Sequence, residues 1–260
     1  MSFQRLLISS TVPLRYGLDN LLYRLNYDQR ILKELRNAYS NRPLLVVGNG
    51  PSLNRTPLAK FAKLPSIGMN KIDLIFGNTE WRPSFIVCLN NAVARQHQDA
   101  FAASDIPVFL AWKSRWLLRS KNRKAVNYYP VTASNSFSYN PLQGFGSSAT
   151  VTYIALQLAH WMGADPVILF GVDHSFKFEG RAGTYQKRKG PDVNHFHADY
   201  FSAGSVWGTP DLQRSEREYQ LAKDAFEKHG RKILDATIGG RLDIFPKISV
   251  EDALRYADTA

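Results

Sequence analysis

Cysteine is nearly absent from the chain, since Cys88 is the single cysteine among 260 residues. One thiol cannot form an intramolecular disulfide, and it cannot supply the several thiolates of a cysteine-cluster metal site. Long apolar runs are missing as well, because stretches such as Val167–Val172 fall far short of the ~20 residues that span a bilayer. The N-terminus lacks the sustained apolar segment of a secretory signal peptide. We therefore expect a soluble, cytoplasmic protein.

Acidic residues are fewer than basic ones, with 22 Asp and Glu against 33 Lys and Arg and a formal net charge of +11. This excess favours an anionic partner, such as a nucleotide, a polyanion, a nucleic acid or an acidic membrane surface. One tract interleaves Trp112 and Trp116 with the basic residues Lys113, Arg115, Arg119, Lys121, Arg123 and Lys124. Because no nucleic-acid-binding motif accompanies this tract, we interpret it as a solvated or membrane-proximal face and expect no nucleic-acid partner.

Residues 1–42 form a basic, amphipathic segment. Its apolar residues recur near helical spacing, and basic side chains separate them. The apolar members are Leu18, Leu21, Leu22, Leu25, Ile31, Leu32 and Leu35. We predict an N-terminal arm of one or two extra helices outside the main sheet. This arm either holds a second subunit in a homo-oligomer or lies peripherally against the anionic inner face of a membrane.

Residues 43–260 alternate short apolar runs with amphipathic segments, and we predict that they form one nucleotide-binding, catalytic domain. Predicted strands cover 44–47, 66–70, 85–91, 107–111, 166–173 and 232–235, and predicted helices cover 92–103, 148–162 and 212–229. This alternation indicates an α/β fold, a Rossmann-like parallel sheet with helices on both faces. Segment 174–209 is too long for a plain connection, so we predict that it is a lid loop.

The carboxyl ends of the predicted strands share one chemical character. In an open parallel sheet the ligand binds at these ends. Glycines let backbone amides approach a ligand, asparagine amides donate and accept hydrogen bonds, and a following helix N-terminus attracts phosphate. Residues 48–52, which we call the glycine turn, match neither the dinucleotide-binding fingerprint nor the P-loop. We predict a nucleotide site formed by Gly48, Asn49, Gly50, Pro51, Ser52, Asn70, Asn90 and Asn91.

Hydroxyl-bearing residues surround the start of the predicted helix 148–162. Ser147 or Ser148 could cap this helix, which would account for the hydroxyls structurally. A helix N-terminus with two hydroxyls beside the strand ends would also bind the phosphate of a nucleotide. We therefore add to the predicted nucleotide site Ser147, Ser148 and Thr150.

Histidines in the lid loop are the predicted source of acid–base chemistry, because histidine is the side chain best suited to proton exchange near neutral pH. In an extended stretch, His195 and His197 would lie on the same side, and we prefer His195 as the base. Asp173 and His174, at a strand end, are the alternative catalytic residues. These residues are too few for a zinc site, so we predict no metal. A leaving phosphate is predicted to contact Tyr185, Tyr200 and Lys187.

Several sequence blocks follow one another in the order typical of one family. They are LLVVGNGPSL, IGMNKI, WRPSFIVCLNN, SSATVTYIALQLAHWMGADPVILFGVDHSF, NHFHADYF and AKDAFEKHGRKILDATIGGRLDIFP, and they cover residues 43–250. The chain resembles the MptE-like family, which is named for archaeal 6-hydroxymethylpterin diphosphokinases and whose bacterial members often accompany polysaccharide genes. More distantly, it is similar to the bacterial CMP-sialic-acid-dependent sialyltransferases of glycosyltransferase family 42.

The resemblance to the sialyltransferases implies a single Rossmann-like domain that requires no metal or other cofactor. It implies that the nucleotide is held by Asn49, Asn70 and Asn90 or Asn91. It also implies a lid histidine as general base and two tyrosines that support the departing phosphate. In this chain His174 stands where the first of those tyrosines is expected, and Gln213 falls near the expected position of the base.

Three functions are compatible with these residues. The leading hypothesis is a glycosyltransferase that moves a sugar from a nucleotide-activated, CMP-linked donor to a glycan or glycolipid acceptor in surface polysaccharide synthesis. The second is an ATP:6-hydroxymethylpterin diphosphokinase, whose chemistry requires Mg²⁺ held by carboxylates, and Asp173 is the acidic residue placed at a strand end. The third is a non-catalytic nucleotide-binding module, which needs the Asn and Gly residues but no histidine.

Overall fold

The computed structural model describes residues 3–119 and 123–258, with side chains from residue 14 onward. Lys121 of the basic tract, the first two residues of the predicted arm and the last two of the predicted domain lie outside the described residues. The described strands are β1 (Leu44–Val47), β2 (Ser66–Met69), β3 (Phe85–Cys88), β4 (Val108–Ala111), β5 (Val126–Tyr129), β6 (Val167–Phe170), β7 (Tyr185–Lys187), β8 (Val206–Gly208) and β9 (Ile233–Asp235). The α-helices are α1 (Phe3–Asn26), α2 (Arg30–Glu34), α3 (Asn91–Gln96), α4 (Gln98–Ala103), α5 (Val151–Trp161), α6 (Leu212–Glu227) and α7 (Val250–Asp258).

Within the described residues, seven strands form one parallel sheet in the order β5-β4-β3-β2-β1-β6-β9. The predicted α/β, Rossmann-like fold is therefore confirmed. Strand β5 was missed because Asn127 interrupts its apolar pattern. The predicted lid loop carries an antiparallel hairpin of β7 and β8, whose alternating exposed residues gave no apolar run.

Both faces of the sheet are covered, and β1 shows how. Leu44 and Val46 pack on the face that carries α2, α5 and α6, whereas Leu45 and Val47 pack on the face that carries α3, α4 and α7. All four side chains are fully buried. Parallel strands covered on both faces are continuous apolar runs in the sequence, which is why this strand was predictable.

The N-terminal helices pack against the sheet in different ways. Helix α2 contributes Leu32 to the core on the face of α5, and Leu35, the residue that follows the helix, packs there as well. Helix α1 buries Tyr23, whose hydroxyl donates a hydrogen bond to the Tyr128 carbonyl oxygen of β5 at 3.0 Å. The division of the chain into an arm, 1–42, and a domain, 43–260, stays a prediction. None of the helices in the described part combines the length and apolarity needed to cross a bilayer.

Two predicted helices have different bounds in the structure. Segment 92–103 forms two helices, α3 and α4, which meet at His97. The ring of His97 lies 2.7 Å from the Asp73 carboxylate, so this side chain is fixed by a neighbouring connection. Helix α5 begins at Val151 because Thr150 is its N-cap and accepts a hydrogen bond from the Thr152 amide.

The neighbouring strands β1 and β6 approach closely at their carboxyl ends. The Gly48 amide donates a hydrogen bond to the Phe170 carbonyl oxygen at 2.7 Å. A Cβ atom on Gly48 would lie 2.2 Å from the Gly171 carbonyl oxygen, which is far below van der Waals contact. Only glycine fits at position 48 unless the two strand ends separate.

We predict that Gly48→Ala destabilises the protein by about 1–3 kcal/mol, because the added methyl group forces the backbones of β1 and β6 apart. Urea unfolding followed by circular dichroism measures this change. Gly77→Ala is the matched control, since a Cβ there meets nothing within 4 Å. A Gly48→Ala variant as stable as the control would contradict the steric argument.

Candidate active site

A cavity of about 510 Å³ opens at the carboxyl ends of the parallel strands. Strand β1 pairs with β2 on one side and with β6 on the other, so the order in which successive strands are added to the sheet reverses at β1. The connections after β1 and β6 diverge there and leave a crevice between them, which is where α/β proteins of this type bind ligands. The lid segment closes the crevice from the other side.

The structure brings most of the predicted site residues together and separates the others. At the cavity wall are Gly48, Asn49, Gly50, Asn70, Asn90, Asn91, Ser148, Thr150, Asp173, His174, Tyr185, His195 and Tyr200. Away from it are Pro51, Ser52, Ser147, Lys187 and His197.

Asp173 holds the glycine turn. Its carboxylate accepts hydrogen bonds from the Ser52 amide at 3.0 Å and the Ser52 hydroxyl at 2.6 Å. The Gly50 amide donates to the Gly171 carbonyl oxygen at 2.9 Å, and a Cβ on Gly50 would lie 1.8 Å from Asp173 Oδ2. The predicted catalytic role of Asp173 is not supported, because both of its oxygens are engaged in joining the turn to the end of β6.

Two asparagines of the cavity wall have unsatisfied side-chain oxygens. The Oδ1 atoms of Asn49 and Asn70 are buried without a hydrogen-bond partner, and both residues line the wall. Asn70 also has a left-handed backbone, with φ of 52°, which turns the chain sharply after β2. A buried acceptor without a partner is unfavourable, so these oxygens are suited to hydroxyl or amino donors of a bound molecule.

Asn90 and Asn91 have structural partners as well as a place at the wall. Asn90 caps α3, and its Oδ1 accepts a hydrogen bond from the Ala92 amide at 2.8 Å. Asn91 Oδ1 accepts one from the Ser114 hydroxyl at 2.8 Å. Their oxygens are therefore occupied, in contrast to those of Asn49 and Asn70.

A carboxylate of the protein itself, that of Glu218, binds next to the N-terminus of α5. Glu218 from α6 is buried and accepts hydrogen bonds from the Ala149 amide at 3.0 Å and the Ser148 hydroxyl at 2.6 Å. Arg214 balances its charge at 2.9 Å. The predicted phosphate cradle of Ser147, Ser148 and Thr150 is not supported in that form, because Glu218 occupies the place of the anion and Ser147 lies outside the cavity.

His195 forms a hydrogen-bonded pair with a buried carboxylate at the cavity wall. Its Nδ1 lies 2.7 Å from Oδ2 of Asp192, whose side chain is fully buried. Burial by itself raises the pKa of Asp192, but the hydrogen bonds from His195 and the Asn194 amide and the charge of Arg188 outweigh it and hold this pKa below its ordinary value. An ionised carboxylate only accepts hydrogen bonds, so Nδ1 carries the proton and Nε2 of neutral His195 is the basic nitrogen.

An aromatic side chain fixes the plane of the His195 ring. Tyr200 stacks on it with ring centroids 4.0 Å apart and an interplanar angle of 4°. Burial raises the pKa of the Tyr200 phenol well above its ordinary value, so this hydroxyl keeps its proton. Tyr200 is therefore a buried ring against which the His195 ring stacks, whereas Tyr185 is exposed at the cavity wall.

His197 and His174 are held differently from His195. The chain between 192 and 200 is a series of turns and not an extended stretch, so alternation does not bring His197 to the side of His195. His197 Nδ1 instead accepts a hydrogen bond from the Asp199 amide at 3.2 Å. His174 has a left-handed backbone and its Nε2 lies 2.9 Å from Glu216 Oε1 on α6.

Hydrogen bonds between the lid and residues that follow β1 and β2 hold the lid in place. The Phe196 amide donates to the Asn49 carbonyl oxygen at 2.9 Å, next to His195. Lys71 Nζ donates to the Tyr200 carbonyl oxygen at 2.7 Å and lies over the Phe201 ring at 4.9 Å. Burial lowers the pKa of the Lys71 ammonium group. These contacts place the histidine opposite the glycine turn.

Sequence reasoning missed five residues of the site: Lys71, Lys113, Asp192, Arg214 and Glu218. Asp192 precedes His195 by three residues, a local spacing that could have identified the pair. Lys113 and Arg214 line the cavity and give its wall positive charge. These two cations and Glu218 come from segments distant in the chain, and no local pattern distinguishes them from other charged residues.

The comparisons with known proteins concern the family of the chain and its fold. The family model described as "6-hydroxymethylpterin diphosphokinase MptE-like" matches residues 19–179. No curated protein matches the sequence. The MAf glycosyltransferase from Magnetospirillum magneticum AMB-1 has a similar fold, with a TM-score of 0.51 and 14% identity over 88% of this chain. The chain spans 40% of that glycosyltransferase.

Two sialyltransferases are more distant structural matches. The sialyltransferase CstII from Campylobacter jejuni, in complex with CMP-3FNeuAc, matches with a TM-score of 0.43 and 11% identity over 80% of this chain and 86% of that chain. A mammalian sialyltransferase matches with a TM-score of 0.43 and 13% identity over 88% of this chain and 86% of that chain.

We predict that Asp192 makes the stability of the protein depend on pH. Because its folded pKa is lowered, its contribution is present above the ordinary carboxyl pKa and is lost as the pH falls through the folded value. Asp192→Asn should lower the free energy of unfolding by about 1–3 kcal/mol at neutral pH. The difference in the free energy of unfolding between this variant and the wild type should shrink below about pH 4.

Urea unfolding between neutral pH and pH 3 measures both quantities. The exposed carboxyl of Asp105 provides the matched control, and Asp105→Asn should show little difference from the wild type at either end of the range. A gap for Asp192→Asn that stays constant down to pH 3 would show that the ionised carboxylate contributes nothing.

Proposed function

The chain belongs to the MptE-like family, as its sequence blocks predicted, and we propose that it is a glycosyltransferase, because a lid histidine pairs with a buried aspartate at its cavity. Its donor is a nucleotide-activated sugar, in our proposal a CMP-linked one. Its acceptor is a hydroxyl group of a glycan or glycolipid, in surface polysaccharide synthesis. Its Rossmann-like fold is one that glycosyltransferases also have.

The Asp192–His195 pair is the observation that carries this proposal. In the proposed reaction, Nε2 of His195 takes the proton of the acceptor hydroxyl. The acceptor oxygen then bonds to the anomeric carbon, while the bond from that carbon to the phosphate oxygen breaks and the nucleotide leaves with the electron pair. The Asp192 carboxylate stabilises the imidazolium that forms and holds the ring in the required tautomer.

The opposite wall suits the nucleotide. The unpartnered oxygens of Asn49 and Asn70 would accept hydrogen bonds from ribose hydroxyls or from the amino group of a base, and cytosine has such an amino group. Lys113 and Arg214 line the same cavity and would attract the phosphate and stabilise the charge that develops on it. The cavity of about 510 Å³ is within the usual range of small-molecule sites.

The family description favours a second candidate, transfer of pyrophosphate from ATP to a pterin alcohol. Such chemistry normally uses Mg²⁺ bound by carboxylate oxygens. The carboxylates near the cavity already have partners: Asp173 binds Ser52, Asp192 binds His195, Glu218 binds Ala149 and Ser148, and Asp211 accepts from the Arg214 amide. Because this donor set does not fit a magnesium site, we derive no step through the metal.

Nucleotide binding tests the two candidates directly. We predict that CMP raises the melting temperature equally with Mg²⁺ and with EDTA, more than CDP, UDP or ATP does. Stabilisation at a ligand concentration of ~100 times Kd is about 2.7 kcal/mol, which a thermal-shift assay resolves. Stabilisation by ATP that requires Mg²⁺ would instead support the diphosphokinase.

Asn49→Ala locates the nucleotide within the same assay. Removing the amide should weaken CMP binding by about 1–3 kcal/mol, because the hydrogen bonds to its oxygen are lost. Asn78→Ala is the matched control, since Asn78 is exposed in a turn away from the cavity. Calorimetry that finds unchanged CMP affinity in Asn49→Ala would remove this residue from the site.

We predict that His195→Ala lowers turnover by about 10²–10⁴-fold while leaving CMP affinity nearly unchanged, as expected for loss of a general base. His197→Ala is the matched control in the same lid and should keep wild-type turnover, because its ring does not line the cavity. The assay is transfer from CMP-linked sugars to an acceptor panel. Wild-type turnover in His195→Ala would contradict the role of His195 as general base. A wild-type chain that binds CMP but transfers no sugar would instead support the third hypothesis, a non-catalytic nucleotide-binding module.

A further inference from the structure

Helix α1 carries an exposed row of leucines, which we call the leucine face: Leu14, Leu18, Leu21, Leu22 and Leu25. Leu14, Leu18, Leu21 and Leu25 follow one another at spacings of four, three and four residues, which places them on one side of an α-helix. The exposed fractions of the five leucines run from 40% for Leu22 to 76% for Leu14. Contiguous apolar surface of this kind marks an interaction site.

The opposite side of α1 is anchored to the protein, so the leucine face cannot turn inward. Tyr23 is fully buried, and its hydroxyl donates to the Tyr128 carbonyl oxygen of β5, an edge strand of the sheet. Tyr27 stacks on Tyr23 with centroids 5.2 Å apart. Asp19 forms an ion pair with Arg115 at 3.1 Å. These contacts fix the orientation of the helix and direct the leucines outward.

Positive charge borders the leucine face. Arg15 and Arg24 are exposed and, at 100° per residue, fall on its two flanks. Asp19 is the single acidic residue of α1, and Arg115 neutralises it. The segment joined to α1 by this ion pair carries Trp116, which is 81% exposed, and tryptophan prefers the interface between membrane and water.

We propose that the leucine face binds the surface of an anionic lipid bilayer, with α1 lying in the plane of the interface. An apolar stripe flanked by arginines and accompanied by an exposed tryptophan has the composition of an interfacial helix. Anionic headgroups would neutralise Arg15 and Arg24. A second copy of the chain on the same face would bring these arginines together with no unpaired acidic residue of α1 to balance them, so the charge favours lipid.

Vesicle co-sedimentation of the full chain tests this proposal. Vesicles of phosphatidylcholine with phosphatidylglycerol should bind the protein, and vesicles of pure phosphatidylcholine should bind it much less. Leu18→Glu/Leu25→Glu should lower the partition coefficient by about 100-fold, because two apolar side chains leave the interface. Arg15→Gln/Arg24→Gln should lower it by about 5-fold for each arginine. Added salt should weaken binding of the wild type.

Leu221→Glu on α6 is the matched control, since Leu221 is also an exposed helical leucine but lies away from α1, and it should bind like the wild type. Circular dichroism checks that each variant is folded, and the arginine variant keeps the test valid if the leucine variant is not. Equal binding to both vesicle types, or equal loss in Leu221→Glu, overturns the proposal. So does a wild-type dimer that ignores vesicles and becomes monomeric in Leu18→Glu/Leu25→Glu, since a second copy then covers the face.

Discussion

The close approach of two strand ends is the constraint on which the site depends. A side chain at position 48 would clash with Gly171, and one at position 50 would clash with Asp173. With the backbones this close, the amide of Gly50 reaches the carbonyl of Gly171, and the carboxylate of Asp173 reaches Ser52. The turn is thereby held rigidly at the point where the strand order reverses. Asn49 lies within this turn.

Asn49 connects this turn to the chemistry on the lid. Its backbone oxygen accepts a hydrogen bond from Phe196, the neighbour of His195, while its side-chain oxygen remains unsatisfied at the cavity. Asp192 and Tyr200 then determine the tautomer and the plane of the His195 ring. A rigid sheet edge therefore positions a basic nitrogen that belongs to a long connection, over a crevice from which a closed lid would exclude water.

The distribution of charge follows from the same arrangement. Asp173 and Glu218 hold the turn and the start of α5, so their oxygens are already engaged by hydrogen-bond donors, and Arg214 forms an ion pair with Glu218. Lys113 and Arg214 add positive charge at the wall. A cavity whose carboxylate oxygens are engaged and whose wall carries Lys113 and Arg214 is suited to an anionic substrate, in keeping with the basic composition of the whole chain.

The sequence by itself determined six of the seven strands of the sheet and the edge of the sheet at which the candidate site lies. Continuous apolar runs identified the buried strands, the Gly48–Ser52 turn marked the ligand edge, and segment 174–209 marked the lid. Only the tertiary structure decided the partners. Ser52 meets Asp173 across 121 residues and Ser148 meets Glu218 across 70, and neither contact leaves a local pattern. The preference for His195 over His197 came from the sequence, and the turns of this segment and the Tyr200 stack give its structural reason. Hydrophobic periodicity reports which face of an element is buried, whereas the partner of a polar group depends on which distant segments the fold brings within hydrogen-bond reach.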